Sequence, residues 1–278
     1  MKAKSQQSVA IPVALLYREQ TSVYPWSNLG DWTESEHYAE AAEALAQRVG
    51  IAAKLQPGYR ILDCAAGYGA SVVLWQQQFS SAQVDVIEQQ PRCLRFLRHH
   101  PPLGLTKVWE ADLRQLVKET KAPSEIDCYD ALVSVDAAYH FGSLLDFFHF
   151  AALHLKPGGT LALTTLGKGT NFPEEASFAA WILRRFLVLA QISWQAVLSP
   201  KEIGAALQRE GFTEISVQDL NVPVLDGFVH FVGRRRRELS FRQRWTVAWG
   251  TITLTAAFAR MVRRTQTLSY QLISARRP

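Results

Sequence analysis

"ILDCAAGYGAS", residues 61–71, sets an apolar run, an acid and two glycines into eleven positions. The apolar half reads as a buried strand and "SVVLWQQQF" (71–79) as a helix, so the glycines fall on the turn between them. Such a turn aims free backbone N–H groups and a positive helix end at a ligand, and the small residues at 65, 67 and 69 let that ligand approach the backbone. A dinucleotide fingerprint, G-x-G-x-x-G, is not met: counted from Gly67 the sixth position is Val72, and counted from Ala65 the first glycine is missing. The pattern is acid-x-small-x-G-x-G, carried by Asp63, Ala65, Gly67 and Gly69. No basic residue stands between Arg60 and Arg92, which favours a phosphate-free nucleoside with a charged tail. Glu88 closes the next strand, "AQVDVIE" (82–88), where an acid can accept hydrogen bonds from both hydroxyls of a ribose.

Outward from the turn, short apolar runs alternate with helical patterns. A helix over "TESEHYAEAAEALAQRVGIAA" (33–53) leads in, with Thr33 and Glu36 spaced as a capping box. "PRCLRFLRHH" is a helix, "LTKVWEAD" and "YDALVSVDA" are strands, "LLDFFHFAALHL" is a helix and "GTLALTTL" a strand. This alternation predicts an α/β fold, Rossmann-like and doubly wound around a mostly parallel sheet. "SPKEIGAALQREGF" is a helix stopped at Gly211, and "TEISVQDL" and "LSYQLISARRP" are the last strands. Residues 1–35, aromatic and rich in turn formers around "YPWSNLGDW", read as a lid or loop ahead of one domain over 36–278, with cap segments 168–199 and 221–267 inserted.

Length and composition fit one sizeable globular domain, with 48% hydrophobic and 20% charged residues. The basicity is local. Residues 230–278 hold eleven arginines, no lysine and one acid, Glu238, a net +10 in a chain of net +5. Three cysteines, Cys64, Cys93 and Cys128, without C-x-x-C spacing, argue against a disulfide framework and a structural zinc, and no His/Cys/Asp cluster suggests any other metal. The apolar run "VAIPVALLY" is short, is broken by Pro12 and lacks a cleavage pattern, so a signal peptide is not expected and a cytoplasmic location is.

"ILDCAAGYGA", Glu88 after "VDVI", "EADL" (110–113), "YDALVSVDAAYHF" and "LKPGGTLALTTL" together resemble the successive motifs of class I S-adenosylmethionine-dependent methyltransferases. "NLGDWTES" and "YQLISARRP" resemble the N-terminal lid and closing antiparallel strand of the small-molecule branch, which includes quinone, tocopherol and sterol methyltransferases. The resemblance implies a seven-stranded sheet and S-adenosyl-L-methionine as cofactor. It places Asp63 and the turn Ala65, Gly67 and Gly69 at the methionine moiety, and Glu88 with Gln89 at the ribose. Asp112 and the Leu113 backbone would lie at the adenine, with Val135 and Asp136 flanking the cofactor. Many members carry glycine where Ala65 stands, and the extra methyl is tolerable if φ stays negative. Asp112 also reads simply as the cap of "DLRQLVKE".

Methyl transfer from a sulfonium is an in-line displacement, so alignment dominates, and a base is needed only when the nucleophile starts protonated. Trp32, Tyr139 and His140 are the expected acceptor-side residues. His140 is the candidate base because imidazole titrates near neutral pH; the alternative is a structural histidine that orients the lid. His149 and His154, on an amphipathic helix, read as structural. The expected activity is O- or C-methylation of a small, lipophilic or aromatic acceptor. The alternatives are a nucleic-acid methyltransferase using the arginine-rich insert, or a non-catalytic binding protein. No specific nucleic acid is expected, because Asp136-Ala137-Ala138-Tyr139 lacks the two prolines common in base-modifying enzymes. The insert reads as a helical pocket cap or as a segment touching an anionic membrane surface. Oligomeric state is not readable from the sequence.

Overall fold

The computed structural model describes residues 13–18, 23–81, 83–117 and 128–278. The start of "VAIPVALLY" and the end of the helical pattern 112–119 lie outside these residues. In chain order the elements are α1 (Tyr38–Ala52), β1 (Arg60–Cys64), α2 (Ala70–Phe79), β2 (Gln83–Glu88), α3 (Pro91–His99), β3 (Leu105–Glu110), α4 (Leu113–Leu116) and β4 (Tyr129–Ser134). There follow α5 (Leu144–His154), β5 (Leu155–Lys168), α6 (Phe178–Leu189), α7 (Pro200–Arg209), β6 (Thr213–Asp219), α8 (Gly227–Glu238), α9 (Phe241–Arg244), α10 (Val247–Thr265) and β7 (Leu268–Arg276).

The strands form one seven-stranded sheet in the order β3-β2-β1-β4-β5-β7-β6. β1 to β5 pair in parallel, and β7 runs antiparallel to both β5 and β6, between which it is inserted. The expected fold class is therefore borne out. Successive strand residues point to opposite faces, and both faces are buried. Ala131 and Val133 of β4 enter the core under α1, α2 and α10, while Leu132 enters the core under α5 and α7, joined there by Tyr129 because the pairing with β5 is irregular between Tyr129 and Ala131. β1 is flanked by β2 and β4, so the winding reverses there and leaves a crevice at the carboxyl ends of β1 and β4. The glycine turn opens onto that crevice.

Local signals account for most boundaries. Ser199 and Glu202 form a capping box on α7, Pro200 occupies its first turn, and Gly211 at φ +84° terminates it. The capping box expected at Thr33 and Glu36 does not form. α1 starts at Tyr38, five residues later, because Asp31 captures the Thr33 amide (3.0 Å) and hydroxyl (2.6 Å) in a local turn. The segment before β7 is a π turn (Asn221–Asp226) followed by α8, α9 and α10. α10 buries Trp249, Ile252, Ala256, Ala259 and Val262, a three-four spacing that lays one face on the sheet layer. Among the described residues, no helix is long and apolar enough to cross a membrane.

Candidate functional site

The turn after β1 is held from below by buried polar pairs. Asp63, only 1% exposed, accepts a hydrogen bond from the Trp75 indole N–H (2.8 Å), and Ser71 bonds the same carboxylate. Burial pushes this acid up to about 6 against those hydrogen bonds. Gly67 and Gly69 both take positive φ, +61° and +85°. At Gly69, a Cβ would stand 2.8 Å from Leu97 Cδ2, so glycine is required both by conformation and by the packing of α3.

The condition set for Ala65 is not met: its φ is +66°, in the left-handed region. The Ala65 amide reaches the Ile87 carbonyl at 2.8 Å, tying the turn to β2. An alanine therefore occupies a position for which glycine is the unstrained residue.

Glu88 ends β2 with 4% exposure. Its carboxylate accepts from Gly67 N (2.8 Å), Gln89 N (2.8 Å) and Gln90 N (2.7 Å). Burial raises its pKa, and the three backbone donors oppose that rise. A carboxylate offers about four acceptor positions, so one is left for a ligand. The Ala111 amide bonds the Glu88 carbonyl (3.2 Å), which brings the 111–113 segment alongside. Asp112 caps α4 through Arg114 N (2.9 Å) and pairs with the Arg114 guanidinium (2.7 Å), so the capping reading is realised.

Past β4 the chain turns sharply at Asp136, φ +55°, with its amide bonded to Thr164 Oγ1 (2.7 Å). The Asp136 carboxylate gathers three donors from distant parts of the chain. Tyr139 OH (2.9 Å) and Tyr270 OH (2.7 Å) donate to Oδ1, and Leu29 N (2.7 Å) donates to Oδ2. Burial pushes Asp136 up to about 6, and the pull of these donors opposes it. Tyr270, on β7, opens the closing-strand motif "YQLISARRP" but was not singled out as a site residue, since only the sheet pairing brings β7 beside β5. Val135 packs at the rim of the core next to this hub.

The lid is a well-fastened loop. Asn28 bonds Ala42 O (2.9 Å) and accepts from Gly30 N (2.9 Å), Tyr38 OH donates to Asn28 O (2.8 Å), and Arg48 holds Asp31 (2.6 Å). The nearest atom that a Cβ on Gly67 would meet is Ser27 Oγ, at 3.3 Å, so this loop lies directly over the glycine turn. Trp32 is used in fastening: it stacks on Phe231 of α8 (4.4 Å between centroids) and donates its indole N–H to Leu29 O (2.8 Å). His140 lies against Tyr139, ring centroids 4.4 Å apart, and its Nδ1 is 3.0 Å from Gln191 O. A carbonyl only accepts, so Nδ1 carries the proton and Nε2 keeps its lone pair. Burial lowers the His140 pKa and keeps the ring neutral. His149 pairs with Glu210 and His154 is buried against Phe150, away from this cluster. A cleft of about 580 Å³ lies elsewhere, between α1 and α8, walled by Arg18, Glu36, Glu40, Arg234 and Glu238; neither the turn nor Glu88 nor Asp136 borders it.

The sequence profile described as "Methyltransferase domain" matches residues 35–217, about two thirds of the chain. The chain belongs to that methyltransferase family. The methyltransferase is 28% identical to the ubiquinone biosynthesis O-methyltransferase of Xanthomonas campestris pv. campestris (strain B100), over 67% of this chain and 72% of that protein. It is 23% identical to the erythromycin 3''-O-methyltransferase of Saccharopolyspora erythraea, over 81% and 74% respectively. Its fold is similar to that of the geranyl diphosphate C-methyltransferase from Streptomyces coelicolor A3(2), solved with Mg2+, geranyl diphosphate and S-adenosyl-L-homocysteine. That TM-score is 0.64, with 17% identity, 97% of this chain and 95% of that one. The resemblance to class I S-adenosylmethionine-dependent methyltransferases is borne out by the matched family and the sheet.

Proposed function

We propose that the protein transfers a methyl group from S-adenosylmethionine to the oxygen or carbon of a small, lipophilic or aromatic acceptor. One observation carries the cofactor assignment: two buried carboxylates, Asp63 and Glu88, flank a glycine turn at the sheet's switch point. That donor set suits a cationic sulfonium and a ribose and disfavours a pyrophosphate. The relatives named for quinone and macrolide O-methylation support a small acceptor.

Bound at the turn, the cofactor would supply an electrophilic methyl. Glu88 would accept from a ribose hydroxyl at its remaining position, with Gln89 beside it, and Asp63 would orient the turn toward the methionine portion. Asp112 and the Leu113 backbone would border the adenine, and Val135 would flank the cofactor. Asp136 holds Tyr139, Tyr270 and the lid amide of Leu29 in one arrangement, which would exclude water from the acceptor side. Trp32 positions the lid against α8, and Tyr139 and His140 face the acceptor. His140 Nε2 would take the proton of a hydroxyl acceptor as the oxygen–methyl bond forms. For a carbon acceptor the same atom would receive the proton lost from the ring.

Calorimetry with S-adenosylmethionine and S-adenosylhomocysteine tests the assignment. The parent should bind both, and Glu88→Ala should lose at least tenfold in affinity. Binding of neither ligand by the parent would refute the reading.

A further inference from the structure

The sequence from Phe241 to Val247, "FRQRWTV", is exposed at every residue, although it includes three large apolar side chains. Phe241 is 74%, Trp245 78% and Val247 89% exposed, and the Phe241 and Trp245 rings stand 6.0 Å apart. The turn that presents them is stiff. Ser240 and Gln243 form a capping box, Thr246 caps α10, and Arg244 is bonded to the carbonyls of Leu239 (3.0 Å) and Arg237 (3.3 Å). Around the aromatics, the guanidinium groups of Arg236, Arg237 and Arg242 are exposed and have no ion-pair partner among the described residues. Glu238, the one acid of the 230–278 segment, is taken by Arg18 and Arg235.

The outer face of α6 has the same chemistry. Phe178, Trp181, Val188 and Leu189 are exposed, Phe178 and Trp181 stack at 5.7 Å, and Arg185 lies over the Trp181 ring. α6 follows β5 and α10 precedes β7, which pair at Lys168 and Leu268, so the chain leading to α6 and the end of α10 meet at one edge of the sheet, while Phe241–Val247 lies at the other end of the 19-residue α10. Asn171 bonds the Gln266 and Thr265 carbonyls there. That edge carries the glycine turn, Glu88 and Asp136.

Exposed Trp and Phe between unpaired arginines match the interface of an anionic bilayer, where aromatic rings enter the headgroup boundary and guanidinium groups meet phosphate. A second copy of this chain fits poorly: two such turns would bring like charges together, and seven residues fall short of the roughly 800 Å² per partner of a standard interface.

We propose that the Phe241–Val247 turn docks the protein peripherally on an anionic lipid surface that holds its lipophilic acceptor. The proposal rests on the lipophilic-acceptor reading, yet lipid binding is measured without an acceptor, so the two can fail separately. Flotation with vesicles of phosphatidylcholine alone, and with added phosphatidylglycerol, at low and high salt, tests it. The parent should float with the anionic vesicles only, and high salt should reduce the bound fraction. F241S/W245S and R236E/R237E/R242E should each reduce it at least tenfold while S-adenosylhomocysteine affinity and melting temperature stay unchanged. Equal binding to both vesicle types, binding to neither, or full binding by F241S/W245S overturns the proposal. So does light scattering that shows a dimer lost in F241S/W245S, or tighter binding of RNA than of anionic vesicles. Loss of S-adenosylhomocysteine binding by the parent with vesicle binding intact would strike the functional reading alone.

Discussion

Replacing Asp63 by Asn should stabilise the protein at neutral pH while weakening cofactor binding. Asp63 is buried beneath the turn and its pKa is pushed up to about 6 from the ordinary 3.8. A carboxyl whose pKa is raised on folding binds more protons in the native state between those two values, so its burden on stability grows as pH rises. The shift of about two units corresponds to roughly 3 kcal/mol of destabilisation at pH 7, falling to about half of that at pH 5. Asn has the same shape and no charge. Its carbonyl can accept from Trp75 Nε1, as Asp63 Oδ2 does at 2.8 Å, and its amide can meet Ser71, whose hydroxyl turns freely. Urea unfolding followed by tryptophan fluorescence should therefore show D63N more stable than the parent by about 1–3 kcal/mol at pH 7, with the advantage shrinking toward pH 5. A D63N protein less stable than its parent at pH 7, or an advantage independent of pH, would refute the reasoning.

Other outcomes follow from the same geometry. Ala65→Gly removes a left-handed alanine, relieving about 1–2 kcal/mol of strain against about 0.5–1 kcal/mol of added unfolded-state entropy. Denaturant titration should show a small net gain, whereas a clear loss would mean that the Ala65 methyl matters more than its φ. Asp136→Ala removes the acceptor of three donors, of which only the Tyr270 hydroxyl keeps another, Thr164 Oγ1 (3.2 Å), and hydrogen exchange at Leu29 should quicken by at least tenfold; unchanged protection would remove Asp136 as the anchor of the lid. For a hydroxyl acceptor, His140→Ala should lower kcat by about 10²–10⁴ without changing cofactor affinity. Because burial lowers the His140 pKa, the neutral base persists below the ordinary imidazole range, and the midpoint of the acid limb of kcat/KM should lie below that of an unperturbed imidazole. A midpoint above that of an unperturbed imidazole would point to a different base.

The sheet was legible because its signals are local. The strand runs, the Pro91 start of α3 and the Gly211 stop of α7 each act within a few residues, and they agree with one another. The turn and Glu88 could be found because each closes a strand, and strand ends on one edge of a parallel sheet converge. The Asp136 hub was only half visible. Asp136 and Tyr139 lie three residues apart, but Tyr270 is 134 positions away and Leu29 is 107, and only sheet pairing and lid closure join them. The Ala65 conformation was left open by the sequence, because a left-handed φ at a non-glycine residue has no local sequence signal. The late start of α1 came from competition between two local motifs, which the Asp31 carboxylate wins through Thr33.

The central claim is methyl transfer to a small lipophilic acceptor at the crevice formed by Asp63, Glu88 and Asp136. Incubating the protein with tritiated-methyl S-adenosylmethionine and separated extracts of metabolites, lipids and RNA tests it most directly. The account predicts label in an organic-extractable small molecule, lost with Glu88→Ala and strongly reduced with His140→Ala if the acceptor is a hydroxyl. Label confined to RNA, or transfer undiminished in Glu88→Ala, would contradict it.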